Sequence, residues 1–117
     1  MQTTQVTSTT ALTTVAAIIA ELGNVLPGET VEYFASQVTG VAAGATVTIT
    51  IAVGGTTIGT AVLTNSGAGA AAVGPVYCSA VVPAGAQGVA TVSGVMSSGT
   101  GTVAGTATAP NIVRSLP

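Results

Sequence analysis

Beyond hydroxyls, five side chains could do acid–base, nucleophilic or ionic chemistry: Glu21, Glu29, Glu32, Cys78 and Arg114. The chain has no His, Lys or Asp, so the common general bases and the usual partners of a serine or cysteine nucleophile are missing. Glu29 and Glu32 are close enough to consider as a carboxylate pair of the glycosidase kind. Their odd spacing sends them to opposite faces of a regular strand, which leaves solvated or ion-paired carboxylates beside a turn. No catalytic residue is expected. Cys78 alternates with Val76 and Ala80, the pattern of a buried small hydrophobe, and no cation stands near it in sequence to lower its pKa. One cysteine and three scattered glutamates make no transition-metal set, and no Asp-rich loop supports calcium. No cofactor or metal is expected. Arg114, the lone cation, is expected to pair with Glu21, Glu29 or Glu32, within the chain or across an interface.

The elements that would position these groups read as strands. Val47, Ile49, Ile51 and Val53 alternate with Thr46, Thr48 and Thr50, the period of two that separates apolar from polar faces. Gly54-Gly55 supplies two residues at ease with positive φ, and Ile58, Thr60 and Val62 resume the alternation, so residues 45–63 spell a β-hairpin. Leu26-Pro27-Gly28-Glu29 is a turn by composition. The strand after it, residues 30–38, sets Val31, Tyr33 and Ala35 against Glu32, Phe34 and Ser36. Residues 76–82 and 89–96 read as strands, and residues 100–109 alternate again. For residues 12–22 two readings stand side by side. Leu12, Val15, Ile19 and Leu22 recur at helical spacing with Gly23-Asn24 as a C-cap, while the β-branched content argues for a strand.

These short strands between Gly/Pro turns predict an all-β fold, a single β-sandwich of jelly-roll or immunoglobulin-like type. Residues 1–10 are expected to form an extended N-terminal arm, residues 11–110 the sandwich and residues 111–117 a C-terminal tail too apolar for solvent. With only three aromatic residues among 117, packing must rely on Val, Ile and Ala.

Charged residues make up 3% of the chain and the net charge is −2, against about a quarter charged in ordinary soluble domains. Mean hydropathy is +0.78. High hydropathy with little charge is the reverse of a disordered composition. It also strips strand edges of the charges that normally discourage association, so much of the surface is expected to be covered by copies of the chain or by a host assembly. A single arginine offers a phosphate backbone little, which argues against nucleic acid. The run 11–22 is too short and Thr-rich to span a bilayer, and no basic stretch precedes it as in a secretory signal. No membrane partner is expected.

A polar early segment followed by a Thr/Val/Gly/Ala β domain almost free of ionic residues resembles small virion structural proteins, among them the capsid decoration, or cement, proteins of tailed bacteriophages. Residues 41–49 and Val82-Pro83-Ala84-Gly85 also resemble strand-and-turn phrases of immunoglobulin-like sandwiches. The first resemblance implies a homo-oligomer, often a trimer, made in a host cytoplasm and seated on the outer capsid surface, where it clamps neighbouring subunits of a major capsid or other shell protein. The arm and tail would then act as straps. The candidate interface residues are Val6, Glu32, Phe34, Ile112, Val113, Arg114 and Leu116. Two other functions fit the composition: a glycan-binding adhesin or fibre-tip module, and an ice-binding protein using the Thr rows 46/48/50 and 102/106/108. The few aromatic residues speak against the glycan reading, since sugar sites want an exposed ring.

Overall fold

The computed structural model describes residues 1–117 and is all-β, with twelve strands, no helix and three antiparallel four-stranded sheets. The central hairpin forms as the alternation requires. β6 (Thr46–Val53) pairs with β7 (Thr56–Thr64), and Val47, Ile49, Ile51 and Val53 are fully buried. Gly54 and Gly55 carry φ of 57° and 86° at its tip, the left-handed values a two-residue hairpin turn demands. The sheet continues through β10 (Gly88–Met96) to β3 (Ala17–Val25), in the order β3-β10-β6-β7.

No helix forms over residues 12–22: Leu12 ends β2, residues 13–16 belong to no strand, and residues 17–22 open β3. Its register against β10 shifts twice, between Val89 and Ala90 and between Val92 and Ser93. Each shift inserts an extra residue on β3, and a bulge of this kind breaks strict alternation. The buried set is consequently Ile19, Ala20, Leu22 and Val25, whose gaps of three imitate a helix.

The other two sheets are built from the same four stretches of chain. β1 (Thr3–Val6), β12 (Asn111–Leu116), β4 (Thr30–Ala35) and β9 (Val76–Val81) form one, in the order β1-β12-β4-β9. β2 (Thr10–Leu12), β11 (Gly101–Val103), β5 (Val38–Val41) and β8 (Ala71–Val73) form the other, in the order β2-β11-β5-β8. Each strand of the first sheet runs through a short break into the corresponding strand of the second, so the pair is one layer bent at a common level. The predicted strand 30–38 is therefore interrupted at Ser36-Gln37, and the break beside it falls at Gly74-Pro75. Gly74 is required there: its φ is +152°, and a Cβ would lie 2.6 Å from Ser36 O and 2.8 Å from Gln37 Cα.

The third break replaces most of the strand expected over residues 100–109, of which only Gly101–Val103 pairs. Thr106 N–H donates to Ala109 O, and Ala109 N–H donates back to Thr106 Oγ1 at 3.0 Å. The threonine hydroxyl thus closes a local turn in competition with the ladder. Of the Thr row 102/106/108, only Thr102 lies on a strand.

Both chain ends lie in the chain's own sheet. Much of the segment expected as an arm is strand, β1 and β2, and the expected tail is β12, hydrogen-bonded between β1 and β4. Gln2 and Ser115 extend that pairing, with Ser115 N–H donating to Gln2 O at 2.9 Å. One hydrophobic cluster of 24 buried residues takes members from all three sheets, so there is a single core.

Candidate functional site

Alternation along β12 decides which of its side chains face outward. Asn111, Val113 and Ser115 are fully buried, and Ile112, Arg114 and Leu116 lie on the opposite face. Val113 packs in the core, so it is no interface residue: two neighbours in a strand cannot share a face. Val6 opposes the buried Asn111 and packs against the core as well. Val113 is thus corrected to a core position, while Val6 lies on the same inward side, partly buried against the core.

The remaining five expected residues share the outer face of the β1-β12-β4-β9 sheet. Register aligns Gln5, Ile112, Phe34 and Tyr77 in one row across the four strands, and Thr3, Arg114, Glu32 and Ser79 in the next. Leu116, Thr30 and Val81 make a third row. Glu32, Phe34, Tyr77, Ile112 and Arg114 line a groove of about 280 Å³. Four of these five were expected from the sequence; Tyr77 was missed. Its parity, opposite to the core-facing Cys78, was readable, but its place beside Phe34 depends on the non-local pairing of β4 with β9.

Arg114 finds its partner within the chain. Its Nε–H donates to Glu32 Oε1 at 2.9 Å, and the Tyr77 hydroxyl donates to Glu32 Oε2. The Tyr77 hydrogen bond, aided by Arg114, holds the Glu32 carboxyl below the usual glutamate range against the opposing effect of desolvation. The same bond pushes the Tyr77 phenol up, because losing its proton would set two anions together. Glu32 is thus a carboxylate at neutral pH, an acceptor rather than a proton donor. Phe34 is 45% and Tyr77 56% exposed, so two of the chain's three aromatic rings stand at the surface beside its one cation.

The other ionic groups stay apart from this site. Glu29 Oε1 accepts the N–H of Leu26 across the Pro27-Gly28 turn, and Glu21 lies on β3 in the other layer. No three of His, Cys, Asp and Glu come together as metal ligands would. Cys78 faces the core opposite Tyr33, and burial pushes its thiol up. The site offers a carboxylate with free lone pairs, a guanidinium with spare N–H donors and an apolar floor, which suits binding. Compared with protein-family models, curated proteins and solved structures, the chain matches none.

Proposed function

We propose that this chain is a structural virion protein that decorates and cements a capsid, binding across subunit boundaries on its outer surface as a homo-oligomer, a trimer. The observation that carries the reading is the outward face of the β3-β10-β6-β7 sheet. Across β10, β6 and β7 it presents Thr91, Ser93 and Val95, then Thr46, Thr48, Thr50 and Ala52, then Thr60, Val62 and Thr64, with no charge on three adjacent strands. Edge strand β7 spans nine residues without a charge or a proline, two of the devices that keep an edge from pairing; part of it is guarded by a bulge at Ile58 and by β9 packed beside Gly59, which leaves the uncharged face as the main surface to cover. Such a face and edge stay in solution when another surface covers them, and a shell assembled across subunit boundaries supplies that surface.

Architecture supports the same reading by analogy. Counting each bent strand once, the layers run first-eighth-third-sixth and second-seventh-fourth-fifth in chain order, which we read as a jelly-roll sandwich. Jelly rolls recur in viral capsid and lectin domains, and function is argued from sites rather than folds. With residues 3–6 and 111–116 paired in the chain's own sheet, those segments are not free as straps, and the cementing contact is assigned to this face.

Native mass measurement of the purified chain, and sedimentation with particles of the virus that encodes it, test the proposal. The wild-type chain should be trimeric and travel with the particles. Thr50→Lys, which sets a charge in the centre of the face, should leave the far-ultraviolet circular dichroism unchanged and stay in the supernatant. A wild-type chain that is monomeric at high concentration and absent from the particles overturns the proposal.

A further inference from the structure

The groove on the opposite layer is not used by that proposal, and its chemistry selects a different kind of ligand. We propose that it binds a neutral sugar ring, with the C–H face of the sugar against Tyr77 and Phe34 and two adjacent hydroxyls held between Glu32 and Arg114. This inference does not depend on the virion reading, because the two use opposite faces of the molecule.

The rings come first. Phe34 and Tyr77 are cross-strand partners on β4 and β9, half exposed, and with Ile112 they give the groove its apolar lining. Aromatic residues combine a large apolar contact with a polar tip. The Tyr77 tip is held by Glu32, which fixes the side chain where its ring borders the groove. A sugar ring has the matching duality, an apolar C–H face and a rim of hydroxyls.

Polar capacity comes next. Glu32 accepts one hydrogen bond on each carboxylate oxygen, from Arg114 Nε and from the Tyr77 hydroxyl. A carboxylate has lone pairs beyond those two, and a guanidinium has donors beyond Nε. Spare acceptors and spare donors therefore stand next to each other, on an Arg114 side chain 49% exposed and a Glu32 side chain 16% exposed. Vicinal hydroxyls, each able to donate and accept, satisfy both sets at once.

Charge then selects among ligands. The site holds one cation and one anion in contact, so its net charge is zero. A phosphate, sulfate or carboxylate ligand would meet Glu32, and an amine would meet Arg114. A volume of about 280 Å³ lies at the small end of ligand sites and suits one ring, such as a terminal sugar of a longer glycan.

The test is a titration of the 117-residue chain, observed through the ring resonances of Phe34 and Tyr77, with galactose, glucose, mannose, N-acetylglucosamine and their β-linked disaccharides. Sialic acid and a sulfated galactose serve as anionic comparisons. At least one neutral sugar should shift both rings saturably. Tyr77→Ala and Arg114→Gln should each weaken that binding about tenfold or more, while Thr50→Lys on the far layer leaves it unchanged. The inference is overturned if no neutral sugar moves the rings, if the anionic sugars bind more tightly, or if Tyr77→Ala binds as well as wild type. Ring shifts that follow protein concentration alone would also overturn it, by identifying a second copy of the chain as the occupant.

Discussion

Replacing Val113 by alanine separates a strand built into the sheet from an appended strap. Val113 is fully buried on the inner face of β12, between Thr4 on β1 and Tyr33 on β4. Removing two methyl groups forfeits about 1.6 kcal/mol of transfer free energy at ~0.8 kcal/mol each. The cavity left in a close-packed core raises the cost to about 2–3 kcal/mol. Unfolding entropy of roughly 2.1 cal/mol/K per residue gives about 0.25 kcal/mol/K for this length, so Tm should fall by about 8–12 °C. Ile112→Ala, one residue earlier and on the outer face, should cost under about 1 kcal/mol. Urea unfolding of both variants, followed by circular dichroism with the slope m compared, is the assay. If Ile112→Ala costs as much as Val113→Ala, or if neither shifts the midpoint, β12 does not hold its register and the alternation argument fails.

Three further outcomes follow from named contacts. Tyr77→Phe removes the largest cause of the lowered Glu32 pKa, so carbon-detected titration of the Glu32 carboxyl should show it move up toward ordinary glutamate. The stability Glu32 contributes is fully present above the ordinary glutamate range and lost as pH falls through the lowered folded-state value; in Tyr77→Phe that contribution should be smaller and its loss complete at higher pH in acid-unfolding curves. Gly74→Ala forces a Cβ against Ser36 O and Gln37 Cα at positive φ and should cost about 2 kcal/mol or more, with loss of amide protection in β5 and β8 as the local readout. Cys78, buried with its thiol pushed up, should react with a thiol-modifying reagent only as fast as the chain unfolds, and labelling at native pH as fast as free cysteine would contradict its burial.

Local chemistry made the hairpin of β6 and β7 legible, since strict alternation and Gly54-Gly55 both act within a few residues. The Pro27-Gly28 turn was legible for the same reason: Glu29 N–H reaches Leu26 O, and Gly28 takes a φ of 92°. Residues 12–22 were ambiguous because their helical spacing joined unrelated places: Leu12 ends β2, Val15 is exposed between strands, and the three-residue gap from Ile19 to Leu22 comes from a bulge visible only against β10. Alternation over residues 100–109 misled, since a threonine hydroxyl can close a turn as readily as face outward from a strand. At the groove, Glu32, Phe34, Ile112 and Arg114 were readable as outward or ionic residues. Their assembly with Tyr77 rests on β12 and β9 flanking β4, an arrangement joined across stretches of chain too long for any local pattern to record.

The bend shared by four strands has an engineering consequence. Along that seam Thr106, Ala107, Thr108 and Ala109 are exposed, and the register of β11 is set by β2 and β5 while that of β12 is set by β1 and β4. Neither register is carried through the connection, so a foreign epitope spliced between Thr106 and Ala109 would be displayed at the joint while both halves of the layer kept their partners. Loop entropy rises only slowly with added length, which makes this joint a natural graft point for presenting cargo.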